Sequence, residues 1–291
     1  MSSTASAVGP LLRSWRTSRG KSQLALAVEA GVSTRHLSFV ETGRASPSRE
    51  LLLLLAEHLE VPLRERNALL NAAGYAAIYR QTGLDAEGMR DVRAALVHIL
   101  AAHEPHPALV VNRRYDVLLS NAAAVELLSF FAPRWRGRNN LARLLVDPEG
   151  LRPSVVNYEE TAGYLLRRLR AELASGSERD AEDERLLALT AAAEAELTRH
   201  TARGSEEAPP AGHGCSPTGR LNPSDVLLPV TFERAGERVD LFTTITTLGT
   251  PLDITLQELR IETFFPANER SRAALSRIVG GLGGQAAEPK G

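Results

Sequence analysis

The first quarter of the chain places apolar residues at helical spacing around a single glycine. Ser22 is a candidate N-cap, because its hydroxyl can accept a hydrogen bond from a backbone N–H of the first turn. The apolar positions that follow predict one face of a short helix: Leu24, Ala27 and Val28. Gly31 predicts the end of this helix, since glycine adopts positive φ at little cost and lets the chain turn sharply.

A second helix is predicted directly after that turn. Ser33 is its candidate N-cap, and Leu37 and Val40 are its inward positions. The outward positions of its first turns are Thr34, Arg35, Ser38 and Phe39. A helix supported in this way by a partner helix can lie in the major groove of DNA and present these side chains to base edges.

Two more helices are predicted before the pattern changes. One begins near Ser48 and carries the leucine-rich run 51–58. The other extends from Leu63 to Ala73 and ends at Gly74. Together these elements predict an all-α N-terminal domain.

From His106 onward the sequence favours short strands and then helices. Alternation predicts strands at 108–112 and 115–120, separated by Arg113-Arg114 in a tight hairpin. Helical spacing then predicts four helices, over about 121–131, 139–146, 153–174 and 182–203. Residues 204–224 are rich in glycine, proline, serine and charge, and we predict a mobile loop there.

Three further strands are predicted near the C-terminal end, at 226–233, 239–247 and 259–265. The first two are hinged at Ala235-Gly236. Two strands, a helical layer and three strands is the order of an α+β PAS-like sheet with a helical insert. Such a sheet buries one face against the helices, and a cavity can open between them.

Length and composition agree with two domains. The chain has 291 residues, of which 43% are hydrophobic, and can therefore form more than one core. We predict a DNA-binding domain over 1–79, a linker with a connecting helix over 80–104, and the PAS-like domain over 105–270. A C-terminal helix and flexible tail are predicted over 271–291.

Charge is divided unevenly between the two parts. Residues 1–80 contain 10 Lys/Arg and 6 Asp/Glu, a net charge of +4, whereas residues 81–291 contain 24 and 29, a net charge of −5. A protein that coats nucleic acid nonspecifically is usually far more basic. The distribution favours a small DNA-binding domain attached to a body with another role.

Neither membrane insertion nor disulfide chemistry is predicted. The sequence has no uninterrupted apolar run of about 18 residues and no basic segment followed by an apolar stretch. Its single cysteine, Cys215, excludes an intramolecular disulfide framework and a thiolate zinc site. We therefore expect a cytoplasmic protein without a membrane partner.

The N-terminal motif resembles a known DNA-binding module. Residues 11–73 are similar to the lambda-repressor-like helix-turn-helix of the XRE family, a five-helix module. The residues that carry the resemblance are Gln23, Ala27, Gly31, Leu37, Val40, Glu41-Thr42-Gly43-Arg44 and Pro47. The resemblance implies a sequence-specific transcriptional regulator that binds a double-stranded DNA operator.

The resemblance also implies which side chains would contact DNA. Gln23 would touch a phosphate, and Thr34, Arg35 and Phe39 would face the bases. Arg35 can pair bidentately with guanine, which is worth about 1–3 kcal/mol of discrimination, and Phe39 can contact a thymine methyl group. Ser38 belongs to the same surface, although Thr34 and Ser38 are equally consistent with simple solvent exposure.

Other positions of the motif have implied supporting roles. Ser33, Arg44 and Ser48 would contact phosphates or cap helices, which fixes the register on DNA without selecting a sequence. Arg16 and Glu41 occupy positions that form a partly buried ion pair in the XRE family.

The body of the chain resembles the MmyB-type ligand-binding domain that follows XRE helix-turn-helix domains in many bacterial regulators. The resemblance covers roughly 105–270 and rests on the segments 107–121, 140–145 and 259–266. It implies a PAS-like sensor for a small, apolar molecule such as a fatty acid, and a homodimer.

Six residues on or beside the predicted sheet and helical layer combine bulk with hydrogen-bonding capacity, and are candidates for ligand binding: Asn121, Trp135, Tyr158, Thr244, Thr246 and Phe264. Trp135 and Phe264 also suit an ordinary core. Alternation along 241–248 places one set of threonines outward, but the sequence leaves open which set faces inward.

No catalytic residue, metal site or cofactor is predicted. His98, His103 and His106 lie close in sequence but lack a carboxylate or cysteine at ligand-like spacing. His213 and Cys215 fall in the predicted loop, which does not favour a thiol nucleophile. The acidic run 180–184 is predicted to be a solvated helix start.

Three functions therefore compete. The first is a dimeric transcription regulator whose PAS-like domain changes DNA affinity when a small molecule binds. The second is a DNA-binding protein whose C-terminal domain docks a protein partner, as in an antitoxin or a polymerase-recruiting activator. The third is an enzyme with an accessory DNA-binding domain, for which the sequence offers no catalytic group.

Overall fold

The computed structural model describes residues 5–135, 139–174, 179–204, 230–249 and 251–281. The predicted loop lies outside the described residues except for residue 204, and so do Cys215 and His213. The chain divides into two compact units. The first contains the chain up to Gly83 and the segment Gly249–Gln257, and the second contains Leu84–Ser175, Arg179–Leu248 and the chain from Glu258.

The first unit is built around five helices, as predicted. They are α1 (Ala5–Ser18), α2 (Gln23–Glu29), α3 (Thr34–Glu41), α4 (Arg49–His58) and α5 (Leu63–Ala72). Serine hydroxyls cap three of these helices. Each accepts a hydrogen bond, at 3.0–3.2 Å, from the backbone N–H three positions later in the chain: Ser22, Ser33 and Ser48. Gly31 has φ +66° between α2 and α3, a conformation that glycine adopts without a steric penalty.

The inward face of α2 differs from the predicted one. Leu26, Ala27 and Ala30 are buried, whereas Leu24 and Val28 are 63% and 71% exposed. A helix of seven residues makes only about two turns, so several apolar stripes fit its sequence and the neighbouring helices select one of them. The buried face of α3 is the predicted one, with Leu37 and Val40 fully inside.

The segment Gly249–Gln257 is held in the first unit by four hydrogen bonds, one of them from the backbone N–H of Thr82 to the Asp253 carboxylate. Thr82 donates its hydroxyl to the Asp253 carboxylate at 2.7 Å, and the Ile254 N–H donates to the Arg80 carbonyl at 2.8 Å. The Gln257 side-chain oxygen accepts from the backbone N–H of Leu63 at 2.6 Å. That bond satisfies the first N–H of α5, whose N-cap is a proline without a capping side chain.

The second unit contains a five-stranded antiparallel sheet in the order β2-β1-β5-β4-β3. Its strands are β1 (Ala108–Val111), β2 (Val117–Ser120), β3 (Val230–Arg234), β4 (Glu237–Thr247) and β5 (Arg260–Pro266). Ala235 and Gly236 form the predicted turn between β3 and β4, both with positive φ. This sheet and its helices confirm the predicted α+β class.

Seven further helices complete the described chain: α6 (Arg90–Ala102), α7 (Ala122–Phe131), α8 (Leu141–Val146), α9 (Tyr158–Ala174), α10 (Ala181–Gly204), α11 (Ile254–Glu258) and α12 (Glu269–Gly281). The helix predicted from residue 153 begins five residues later, after a single 3-10 turn over Arg152–Ser154 that contains a proline. Helix α11 is not among the helices predicted from the sequence.

The register of the sheet decides which side chains share a face. Glu262 on β5 lies opposite Leu109 on β1 and Ile245 on β4, and the adjacent pair on that face is Phe264 with Thr243. Because side chains alternate along a strand, Thr244 and Thr246 lie on the other face.

Candidate DNA-binding and ligand-binding sites

Helix α3 presents a mixed polar and aromatic surface away from the core of the first unit. Leu37 and Val40 are at most 1% exposed, and the side chains on the other sides of the helix are half-buried or exposed: Thr34, Arg35, Ser38 and Phe39. The Arg35 guanidinium carbon lies 5.3 Å from the centre of the Phe39 ring. This cation–π contact holds the guanidinium over the outer surface of the helix.

A buried ion pair fixes α3 against the first two helices. Arg16 on α1 donates two hydrogen bonds to the Glu41 carboxylate, at 2.6 and 2.9 Å, and the Gln23 side-chain amide donates a third at 2.7 Å. Burial alone disfavours ionised Glu41, but the hydrogen bonds from Arg16 and Gln23 hold the pKa of its carboxyl below the usual value. The predicted ion pair is confirmed.

The remaining DNA-binding candidates lie at the starts of α2, α3 and α4 and in the turn after α3. Ser33 and Ser48 use their hydroxyls as N-caps of α3 and α4. Arg44 is exposed, and its backbone N–H donates to the Phe39 carbonyl at 2.8 Å. Gln23 is half-buried, and one of its two amide N–H groups is committed to Glu41. DNA contact by these residues stays a prediction.

The second unit encloses a cavity of about 290 Å³ between the sheet and helices α7, α8 and α9. One stripe of α9 lines it, with the spacing of a single helix face: Thr161, Tyr164, Leu165 and Arg168. The sheet contributes Thr243, Ile245, Glu262 and Phe264. Most of the remaining lining is apolar: Leu109, Leu127, Leu128, Leu141, Leu145, Leu151, Val230 and Phe232. The size and composition suit a small apolar molecule.

Polar groups gather at one part of this lining. Glu262, Tyr115 and Arg168 are close enough to perturb one another electrostatically. Burial raises the pKa of the Glu262 carboxyl, although Arg168 and Arg260 oppose the shift. Burial, with the nearby charge of Glu262, also raises the pKa of the Tyr115 hydroxyl.

Each of the two units matches a known protein family. The family model of the MmyB-like transcription regulator ligand binding domain matches residues 92–278, and a helix-turn-helix family model matches residues 12–66. The chain belongs to the MmyB-like transcription regulator family. No curated protein matches the chain.

Membership in the MmyB-like family assigns the general role. A helix-turn-helix followed by a ligand-binding domain is the architecture of a DNA-binding transcription regulator and not of an enzyme. Both predicted resemblances are confirmed. None of the described helices is long and apolar enough to cross a membrane.

The structure brings one of the six ligand-binding candidates, Phe264, into the lining of the cavity. Tyr158 lines a separate, open groove with Arg152 and Glu196, and Trp135 packs at the core, where its indole N–H donates to Ser129 at 3.0 Å. Whether any of these side chains contacts a ligand stays a prediction.

Asn121 lies outside the cavity lining and has a structural environment. Its side-chain oxygen accepts from the N–H groups of Ala108 and Ala124, and its amide donates to the carbonyls of Leu100 and His106. The side chain therefore caps α7 and joins it to β1.

The candidates chosen from the sequence did not include the six residues of the lining that carry polar groups: Tyr115, Thr161, Tyr164, Arg168, Thr243 and Glu262. Spacing contained part of the signal, because Glu262 lies two residues from Phe264 on the same strand face. Thr161 and Arg168 are likewise seven residues apart within the helix predicted over 153–174.

The acidic run 180–184 is not simply solvated, which corrects the prediction. Asp183 is fully buried and pairs with Arg113 and Arg114 from the β1–β2 hairpin, the latter at 2.6 Å. These arginines hold the pKa of Asp183 below its usual value despite its burial. Asp180 accepts hydrogen bonds from the first N–H groups of α10, so the run anchors that helix to the hairpin.

The three clustered histidines do not meet at one point. His103 has a ring nitrogen 2.7 Å from the Ile99 carbonyl, and the His106 ring packs 4.9 Å from that of Phe265. Within the described ranges, no group of histidine, cysteine and acidic side chains could hold a metal ion.

Proposed function

We propose that this transcription regulator is a homodimer that binds a specific DNA operator through α3 and senses a small, apolar molecule, such as a fatty acid, in the cavity of its second unit. The observation that carries the proposal is that one chain contains both features: an exposed Arg35 on a capped helix-turn-helix, and a largely apolar cavity in the ligand-binding domain.

The surface of α3 supports specific DNA binding. Arg35 has no acidic partner among the described residues, so its guanidinium is available to the O6 and N7 atoms of guanine. The Arg16–Glu41 pair and the serine caps fix the helix from which it extends. A preorganised helix loses little further entropy when it binds DNA.

A ligand can influence DNA binding only through a difference in its affinity for two states of the regulator. A ligand that prefers one state shifts the balance by as much as its affinity differs between the two states.

A homodimer suits a helix-turn-helix that recognises two half-sites. Each α3 would occupy one major groove, with the half-sites about one helical turn or a multiple of it apart. A ligand that changes the spacing of the two helices would then change the affinity for DNA.

The test is a mobility shift of the full chain on its own upstream DNA, against scrambled competitor at fixed salt. Arg35→Ala should lower specific binding by roughly 1–3 kcal/mol and relax the preference at one base position. The matched control is Arg90→Ala, which removes an exposed arginine of the second unit. Gln23→Ala should weaken specific and nonspecific binding more evenly, as expected of a phosphate contact.

Two outcomes would count against the proposal. An equal loss on all sequences for Arg35→Ala would make Arg35 a phosphate contact and move sequence selection elsewhere. Native mass spectra that show a bound protein and no bound small molecule would favour the docking alternative over sensing.

A further inference from the structure

The lining of the cavity contains buried hydroxyl groups without hydrogen-bond partners. The Tyr115 and Thr161 hydroxyls make no hydrogen bond to any described residue, although the two residues are only 1% and 9% exposed. A threonine within a helix commonly donates to the carbonyl one turn before it, but Thr161 does not. Because polar groups buried without a partner are costly and rare, these two indicate a place where another molecule completes the bonding.

Glu262 adds a carboxyl group to the same lining. It is 7% exposed and has neither a hydrogen bond nor an ion pair within the described part of the chain. Its neighbours across the sheet, Leu109 and Ile245, are apolar and cannot satisfy it. The carboxyl therefore retains its capacity to donate when protonated and to accept in either state.

Arg168 and Arg260 both approach the Glu172 carboxylate, which offsets only one of their two positive charges. Arg168 approaches one oxygen of the Glu172 carboxylate at 3.3 Å, and Arg260 approaches the other at 2.6 Å. With Glu262, the group contains two arginines and two carboxyls, so an ionised Glu262 brings the total charge to zero. A ligand carboxylate would then be a third acidic group, and neighbouring carboxyls in an apolar site do not all ionise.

We propose that the cavity selects an amphiphile with an uncharged, hydrogen-bonding head group, such as an alcohol or a primary amide, and that Glu262 discriminates against a carboxylate head. Tyr115 and Thr161 supply the hydroxyls that bond the head group, and the leucine-rich lining covers the apolar chain. An ionised fatty acid would bind only if one carboxyl of the group takes up a proton. This inference rests on the proposed function, since it takes the cavity as the effector site.

The test compares ligands of equal chain length on the full chain by titration calorimetry. Octanol, octanamide and octanoate are titrated at mildly alkaline pH, where octanoate is ionised. We expect the two uncharged ligands to bind at least about tenfold more tightly than octanoate, the ratio that about 1.4 kcal/mol produces. Glu262→Gln should reduce this ratio about tenfold by tightening octanoate, because it removes the negative charge and retains the shape.

Two further variants separate a specific role from a general disturbance. Tyr115→Phe keeps the ring and removes the unpartnered hydroxyl, so it should weaken octanol several-fold. Glu233→Gln makes the same substitution at an exposed residue of β3 outside the cavity lining and should leave every ratio unchanged. Thermal unfolding of each variant verifies that the protein is folded in the titration.

The outcomes distinguish this inference from the function on which it rests. Octanoate that binds as tightly as octanol, or a ratio that Glu262→Gln leaves unchanged, overturns the role of Glu262 but leaves a sensor of small apolar molecules. If no ligand of the series binds at saturating concentration, both the uncharged-head preference and the proposed apolar effector are wrong. DNA binding is measured independently.

Discussion

The two units bury carboxylates to a similar extent and treat them in opposite ways. Glu41 in the first unit is 5% exposed and Glu262 in the second is 7% exposed. Glu41 accepts hydrogen bonds from Arg16 and Gln23, which overcome its burial and lower its pKa. Glu262 has no such partner, and burial raises its pKa. Similar burial therefore produces opposite charge preferences, and the partners decide which one applies.

This difference matches the different tasks of the two units. The first unit must hold α3 in one position, and a buried polar network that is fully bonded stabilises one arrangement. The second unit leaves hydrogen-bonding capacity unused around a cavity, which lowers its own stability but favours a molecule that supplies the missing partners. A buried polar cluster whose hydrogen bonds are all made within the protein indicates a role in supporting the fold. A cluster beside a cavity whose hydrogen bonds are incomplete indicates a binding site.

The largest expected effect comes from breaking the satisfied cluster. Glu41→Ala would leave the Arg16 guanidinium buried without its partner, which costs about 3 kcal/mol of unfolding free energy. Urea unfolding measures this cost in the first unit through Trp15, with Trp135→Phe as the background because Trp135 belongs to the second unit.

The matched control is Glu29→Ala, which removes the partner of Lys21 in a partly exposed ion pair of the same unit. It should cost less than about 1 kcal/mol. If Glu41→Ala costs no more than this control, the ion pair does not support α3 and the contrast between the units fails.

A smaller effect is expected from the cap of α3. Ser33→Ala removes the acceptor for the His36 N–H, and we expect it to cost about 1 kcal/mol. DNA affinity should fall with it, because the residues proposed to face the bases occupy the first turns of that helix. Ser46→Ala changes an exposed serine outside the helices and should leave both quantities unchanged, as unfolding and mobility-shift measurements can verify. If the two variants had equal effects, the Ser33 cap would not stabilise α3.

The first unit could be predicted from local signals. Serine caps, the glycine turn and the inward positions Leu37 and Val40 all act within a few residues, so one sequence contains them. The face of α2 could not be predicted in the same way, since contacts with residues distant in the chain chose Leu26 over Leu24. The burial of Asp183 could not be predicted for a similar reason, because its partner Arg113 lies 70 residues away in the chain.

The cavity was harder to predict, because the set of side chains that a strand turns inward depends on how that strand pairs with its neighbours. Threonines occupy both faces of β4, so hydrophobic alternation alone cannot distinguish Thr243 from Thr244. The register with β5 places Thr243 opposite Phe264 and thereby selects the inward set. Glu262 breaks the rule that strand positions facing a core are apolar, and such exceptions occur mostly at functional sites.

The smallest effect, and the sharpest test of the contrast, is the pH dependence of stability. The pKa of Glu41 is lowered by folding, so its contribution is present above the unfolded pKa of about 4.3 and is lost as pH falls through the folded value. The destabilisation by Glu41→Ala should therefore shrink on acidification.

Glu262 should show the opposite trend, because its pKa is raised by folding. The folded protein binds this proton more tightly than the unfolded chain, so the wild type loses stability as pH rises from about 4.3 through the folded pKa. Glu262→Gln cannot ionise and should gain stability relative to the wild type over that range. Urea unfolding at a series of pH values, followed through Trp135 in a Trp15→Phe background, measures the difference. A difference that is flat with pH would show that Glu262 is as well compensated as Glu41, and the two units would then not differ in how they treat a buried charge.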